Sequence, residues 1–288
     1  MMRRKHAWSL IRLLVAVSAS LLTPVAAAAD MARLYAPYQQ LLDRHLVEAS
    51  TDGGGLVTAF HYDDAMRASD TQTLLQRQRA QLAAFDPTTL ADAAVANAFW
   101  INAYNFFMVA HILEHPEDGA PVEGVKAFGS FINPYRVFQR ALFTVGGAEY
   151  SLDDIEKGIL LGADFAARGW KDARVHFAVN CASVGCPPLR QAIYTADRLD
   201  AQLDENLRRA LRTDRHLRVD GRTLYLSRLF DWYEDDFESV AGSARAYVLR
   251  YADAELRQAI EATETIAYID YDWSLNRVEN FPELAEGR

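Results

Sequence analysis

The sequence predicts an α+β fold: a helix-rich single domain around a small, mainly antiparallel sheet. Three observations carry this. Apolar residues recur at helical spacing in several long stretches, among them Leu199, Leu203, Leu207 and Leu211. Two short alternating runs are folded back by Gly146-Gly147 and by Asp220-Gly221, the chemistry of hairpin turns. No linker rich in Pro, Gly or Ser divides the chain into halves, so one domain over residues 30–288 is expected.

The first 29 residues read as a secretory signal peptide. Arg3, Arg4 and Lys5 form a positive start, an apolar run follows from Leu10, and Ala26 to Ala29 supply small residues for cleavage. This predicts export, to a periplasm in a bacterial host. No later segment is apolar for long enough to cross a bilayer. Without the four basic residues of the signal, 26 basic residues face 39 acidic ones, a net charge of −13. Such a surface repels phosphate backbones, so nucleic acid is not expected as a partner.

Asp30 to Glu48 reads as an amphipathic helix and Asp52 to Gly55 as its break. Thr73 to Phe85 is a second helix, ended by Asp86-Pro87. Thr88 to Glu114 is apolar on all sides, which predicts a buried helix. Its Asn102 and Asn105 share one face and must find partners. They either tie the helix to neighbouring loops or line a site. Arg140 to Leu152 reads as a hairpin, and Ser151-Leu-Asp-Asp as a capping box with Asp in the fourth place, opening a helix to Leu161. Arg174 to Val179 alternates like a strand. Thr195 is a candidate cap for a helix from Ala196 to Leu211. A hairpin over His216–Ser227, helices over Ser243–Tyr251 and Asp253–Thr263, and a strand from Thr265 to Tyr271 complete the reading.

The densest chemistry lies in Arg174–Arg190, RVHFAVNCASVGCPPLR, which holds both cysteines, Cys181 and Cys186. One reading is a thiol-dependent hydrolase or acyl transferase acting on an amide, peptide or thioester. It would use Cys181 as nucleophile, His176 as base and Glu156 as the carboxylate that orients the imidazole, with Asn102 or Asn105 donating to an oxyanion. The other reading is a non-enzymatic envelope protein that binds a small molecule or peptide, with Cys181 and Cys186 bridged. The Cys-x4-Cys spacing is longer than that of thioredoxin-like sites. A zinc set of His176, Cys181 and Cys186 lacks a fourth ligand. No cofactor is called for. The acidic and aromatic run Asp231–Phe237 reads as a short helix, anchored by Trp232 and Phe237, with Glu234, Asp235 and Asp236 solvated. Asp272 and Trp273 read as a lock on the last strand. His111 and His115, one turn apart without an intervening Glu, read as a surface pair.

Phe99-Trp-Ile-Asn-Ala-Tyr-Asn, Ser151-Leu-Asp-Asp-Ile-Glu, Arg174-Val-His-Phe-Ala-Val-Asn-Cys, Cys186-Pro-Pro-Leu and Tyr271-Asp-Trp-Ser-Leu-Asn occur in this order. Together they resemble the domain-of-unknown-function family 547, from about Asp30 to Asn276. The resemblance implies an exported or envelope-associated protein and no particular reaction. It also implies His after Ile-Glu, where this chain has Lys157. A lysine of ordinary pKa stays charged at neutral pH and is no substitute base.

Overall fold

The computed structural model describes residues 30–285; the expected signal segment, residues 1–29, lies outside the described residues. In chain order the elements are α1 (Ala36–His45), β1 (Leu46–Ser50), β2 (Leu56–Phe60), α2 (Tyr62–Arg67), α3 (Thr71–Ala84), α4 (Ala93–Glu114), α5 (Arg136–Gln139), β3 (Phe143–Val145) and β4 (Ala148–Tyr150). A π-helix (Asp154–Leu160), α6 (Ala163–Ala167) and a 3₁₀ turn (Ala173–Phe177) precede α7 (Leu199–Ala210). Then come β5 (Leu217–Asp220), β6 (Thr223–Ser227), α8 (Leu229–Trp232), α9 (Glu234–Ala241), α10 (Ala244–Tyr251), α11 (Ala254–Glu261), β7 (Thr265–Ile269) and α12 (Pro282–Ala285).

The fold is α+β and helix-dominated. Among the described residues the strands form three small sheets rather than one: the β1–β2 and β3–β4 hairpins, and β5–β6–β7. The pairing is mainly antiparallel, with β7 added parallel to β6. Among the described residues, no helix is long and apolar enough to cross a membrane.

Helix α4 is the axis of the larger core. Asp92 caps it, its side chain accepting from the amides of Ala94 and Val95, so the helix starts later than the apolar pattern suggests. Phe99, Phe106 and Phe107 are fully buried, and Phe107 stacks on Phe143 of the β3–β4 hairpin at 4.7 Å between ring centroids. A second core gathers Phe177, Leu207, Phe230, Phe237 and Tyr247.

Arg174–Val179 is not a strand. Residues 173–177 form a 3₁₀ turn, started by the Asp172 side chain accepting from the Arg174 amide. The Arg174 guanidinium then bonds Asp172, Asp200 and Asp204. The period-2 pattern misleads because the segment threads between the two cores. Val175 and Val179 face one core and Phe177 the other, and His176 between them is buried too. Alternation reports one solvated face only where such a face exists.

The N-terminal helix ends at His45, and the chain continues as β1; the break at residues 52–55 is the turn of the β1–β2 hairpin. Thr195 does not cap α7. Arg198 occupies that place without a side-chain cap, and the Thr195 amide donates to Gln202 Oε1 at 3.0 Å.

The Ser151 capping box forms with Asp as its fourth residue. Ser151 Oγ accepts from the Asp154 amide at 3.0 Å, and Asp154 Oδ2 accepts from the Ser151 amide at 2.8 Å. Asp154→Ala is therefore expected to cost about 1 kcal/mol, read as a lower midpoint in urea denaturation. An unchanged midpoint would refute the reciprocal cap.

Candidate functional site

Residues 177–195 have almost no regular secondary structure, yet most of them are buried. Their backbone groups need partners that a ladder or helix would otherwise supply. Buried amide side chains supply them. Asn105 donates to the Ala178 carbonyl (2.9 Å) and accepts from the Asn180 amide (2.8 Å). Asn102 does the same for Tyr194, at 2.8 and 2.9 Å. Asn206 holds the carbonyls of Phe177 and Pro188. Asn180 spans the loop from within, donating to the Pro187 carbonyl and accepting from the Ala182 amide. Ala182 adopts a left-handed φ of 61°, kept by that bond and by its carbonyl accepting from Asn276.

The C-terminal segment closes over the loop. The amides of Val184 and Gly185 donate to the carbonyls of Ser274 and Asp272, both at 2.9 Å. Thus Asp272, with Ser274, locks the cysteine loop rather than the last strand, and Trp273 packs on Tyr135, Trp232 and Tyr271.

Cys181 and Cys186 are joined by a disulfide. The Tyr271 hydroxyl donates to Cys186 Sγ at 3.1 Å and lies 3.3 Å from Cys181 Sγ. The bridge forms part of the wall of a cavity of about 450 Å³. Aromatic residues dominate the rest of the wall: Tyr104, Tyr135, Trp232, Tyr233, Tyr271 and Trp273. Gln139, Asp153, Glu156, Lys157 and His176 supply its other polar groups.

Three of the five residues proposed from sequence, Cys181, His176 and Glu156, therefore meet at one cavity. Asn102 and Asn105 lie outside its wall, with donor and carbonyl both committed to backbone. The carboxylate on His176 is not Glu156 but Asp236, whose Oδ2 lies 2.8 Å from His176 Nε2. Asp236 is not the solvated residue its acidic run suggests; it turns inward, where Lys171 also pairs with it. Burial works to raise its carboxyl, but the bonds to His176 and Lys171 outweigh this and hold it below the usual carboxylate range. The other imidazole nitrogen, Nδ1, is buried without a protein partner.

Glu156 reaches the imidazole only through Tyr233. That ring stacks on His176 at 4.0 Å and its hydroxyl donates to Glu156 Oε1 at 2.8 Å. Burial, and then the nearby Glu156 charge, push the hydroxyls of Tyr104, Tyr233 and Tyr271 well above the usual tyrosine range. All three hydroxyls therefore stay protonated near one carboxylate. The π-helix presents Glu156, through the i→i+5 bond from the Leu161 amide to the Glu156 carbonyl at 2.9 Å. Lys157, next in line, pairs with Asp153 at 2.8 Å.

Residues 89–210 match the family model described as "Protein of unknown function, DUF547". The resemblance is borne out over that stretch, which holds the FWINAYN helix, the capping box and π-helix, and the whole cysteine loop. The final Tyr271–Asn276 block lies beyond it. So do Asp236, Tyr233 and Tyr271, and residues 89–210 thus obtain the carboxylate on His176 and part of the cavity wall from the C-terminal third. No curated protein and no solved structure matches the chain.

Away from the cavity, His111 is no surface residue. It is buried against Phe128 and Phe143, with the His115 ring 4.2 Å away. Among the described residues, no three His, Cys, Asp or Glu side chains converge as metal ligands do.

Proposed function

We propose that this is an exported, single-domain binding protein that holds a small molecule or a peptide segment in the aromatic cavity, with the Cys181–Cys186 bridge as part of its wall. The observation that carries this reading is the bridge itself. Both sulfurs are bonded to each other where a nucleophile would stand, and the Asn102 and Asn105 amides are committed to backbone. A cavity of this size with aromatic walls and few polar groups suits a small ligand. Trp232 and Trp273 on the wall would report occupancy by a change in their fluorescence.

The natively purified protein is expected to take up no iodoacetamide, by intact mass, until a dithiol reductant is added. Rapid labelling of Cys181 without reductant would overturn this reading. A second reading, thiol-dependent hydrolase or acyl-transfer chemistry after reduction, is favoured by one observation. His176 carries Asp236 on one nitrogen and has no protein partner on the other, the arrangement of an oriented base. For that reading, reduced Cys181 must label faster than Cys186, and His176→Ala must slow it.

A further inference from the structure

Six large apolar side chains stand exposed among the described residues, and Phe131, Ile132, Tyr135 and Trp232 are four of them. Tyr135 and Trp232 are part of the cavity wall. Phe131 and Ile132, at 104% and 93% exposure, occupy the loop that leads into Tyr135. That loop is a closed finger rather than a loose strand of chain. The Ser130 amide donates to the Asn133 carbonyl (2.9 Å), and the Asn133 amide donates back to Ser130 Oγ (3.0 Å). The Asn133 side chain ties onward to Gln139 and to the Tyr135 amide. Gly129 lies so close to Pro134 that a Cβ there would strike the Pro134 carbonyl. Ordering two apolar residues outward, on a pinned turn, calls for something to receive them.

The charge around the finger narrows what that is. Residues 124–148 contain no Asp or Glu, but they carry Lys126, Arg136 and Arg140, in a chain whose net charge is −9. All three basic residues are exposed. Lys126 Nζ sits over the rings of Tyr135 and Trp273, at 5.4 and 4.9 Å, on the rim of the same cavity. An apolar tip flanked by Tyr and Trp, with cations around it, matches the layering of a bilayer surface: acyl chains, interface and anionic headgroups.

We propose that the finger at residues 129–136 docks the protein on an anionic lipid surface, with Phe131 and Ile132 entering the acyl layer and Lys126, Arg136 and Arg140 facing the headgroups. The cavity mouth then faces the membrane. A basic partner protein is disfavoured by the same three cations.

The test is flotation of the full chain with vesicles of phosphatidylglycerol and phosphatidylcholine in equal parts, and with vesicles of phosphatidylcholine alone. The comparison is with Phe131→Ser combined with Ile132→Ser, so whatever residues 1–29 contribute is common to both proteins. Both side chains are solvent-exposed, so the double variant should keep the melting curve of the parent. The partition coefficient on anionic vesicles is expected to fall at least about tenfold in the double variant. Charge reversal by K126E, R136E and R140E should lower partitioning on anionic vesicles and leave phosphatidylcholine unaffected. Equal flotation of parent and double variant would overturn the proposal. So would a parent that sediments as a dimer, becomes monomeric in the double variant and shows no difference on vesicles.

Discussion

Replacing Asn105 with Ala is expected to destabilise the protein by about 2–4 kcal/mol, because two buried backbone groups lose their partner at once. The amide of Asn105 serves the Ala178 carbonyl and the Asn180 amide, one on each side of Val179. No ladder runs along this segment to take them up, and the side chain is 2% exposed, so water has little access. The loss should extend to the loop that Asn105 holds. Asn180 in turn fixes the Pro187 carbonyl and the Ala182 amide, and Asn276 donates to its Oδ1. A looser Asn180 therefore frees the Cys181–Cys186 loop. Two measurements check this: the urea midpoint, and the rate at which a dithiol reduces the bridge. Both should change in Asn105→Ala. Asn102→Ala is the control. It orphans the Tyr194 amide and carbonyl, so it should lower the midpoint by a similar amount and leave the reduction rate close to that of the parent. If Asn105→Ala reduced no faster than Asn102→Ala, the clamp would not control the cysteine loop.

Much of this was legible in the sequence, and the misses share a cause. Local signals told the truth where the partner is local. The Ser151–Asp154 box and the Gly146-Gly147 hairpin are both satisfied within a few residues. The apolar periphery of residues 93–114 announced a buried helix because no face of it meets solvent. The cysteine loop was found from composition alone, since no other stretch holds both cysteines. What failed depends on distant chain. Asp236 sits in a run of three acids, and nothing local marks it as the one that meets His176, sixty residues earlier. Likewise, the alternation in Arg174–Val179 resembles a strand, and only the cores on both sides show why it is a 3₁₀ turn. The Leu56–Phe60 strand leaves no two-residue period in the sequence because all five residues are buried.

Acid should unfold this protein earlier than its carboxylates alone would require. His111 is held down to about 4, first by burial and then by His115, Arg79 and Arg140. His216, packed beside Phe177, is held down to about 3 by burial and then by Arg215, against a hydrogen bond to the Cys186 backbone that raises it. In the unfolded chain both imidazoles take a proton near pH 6.5. Below that pH the unfolded state binds protons that the folded state refuses, so stability falls as pH falls. The contribution is fully present above about pH 6.5 and is lost progressively down to about pH 4 for His111. For His111 alone the full loss is on the order of 3 kcal/mol. Asp236 and the other depressed carboxylates add their loss only below the usual carboxylate range, so the two contributions separate by pH. Urea midpoints at pH 7, 5.5 and 4.5 should therefore decline steadily. His111→Phe, which keeps an aromatic ring against Phe128 and Phe143, should flatten that decline. A parent whose midpoint is constant from pH 7 to 4.5 would show that neither buried histidine is kept neutral by the fold.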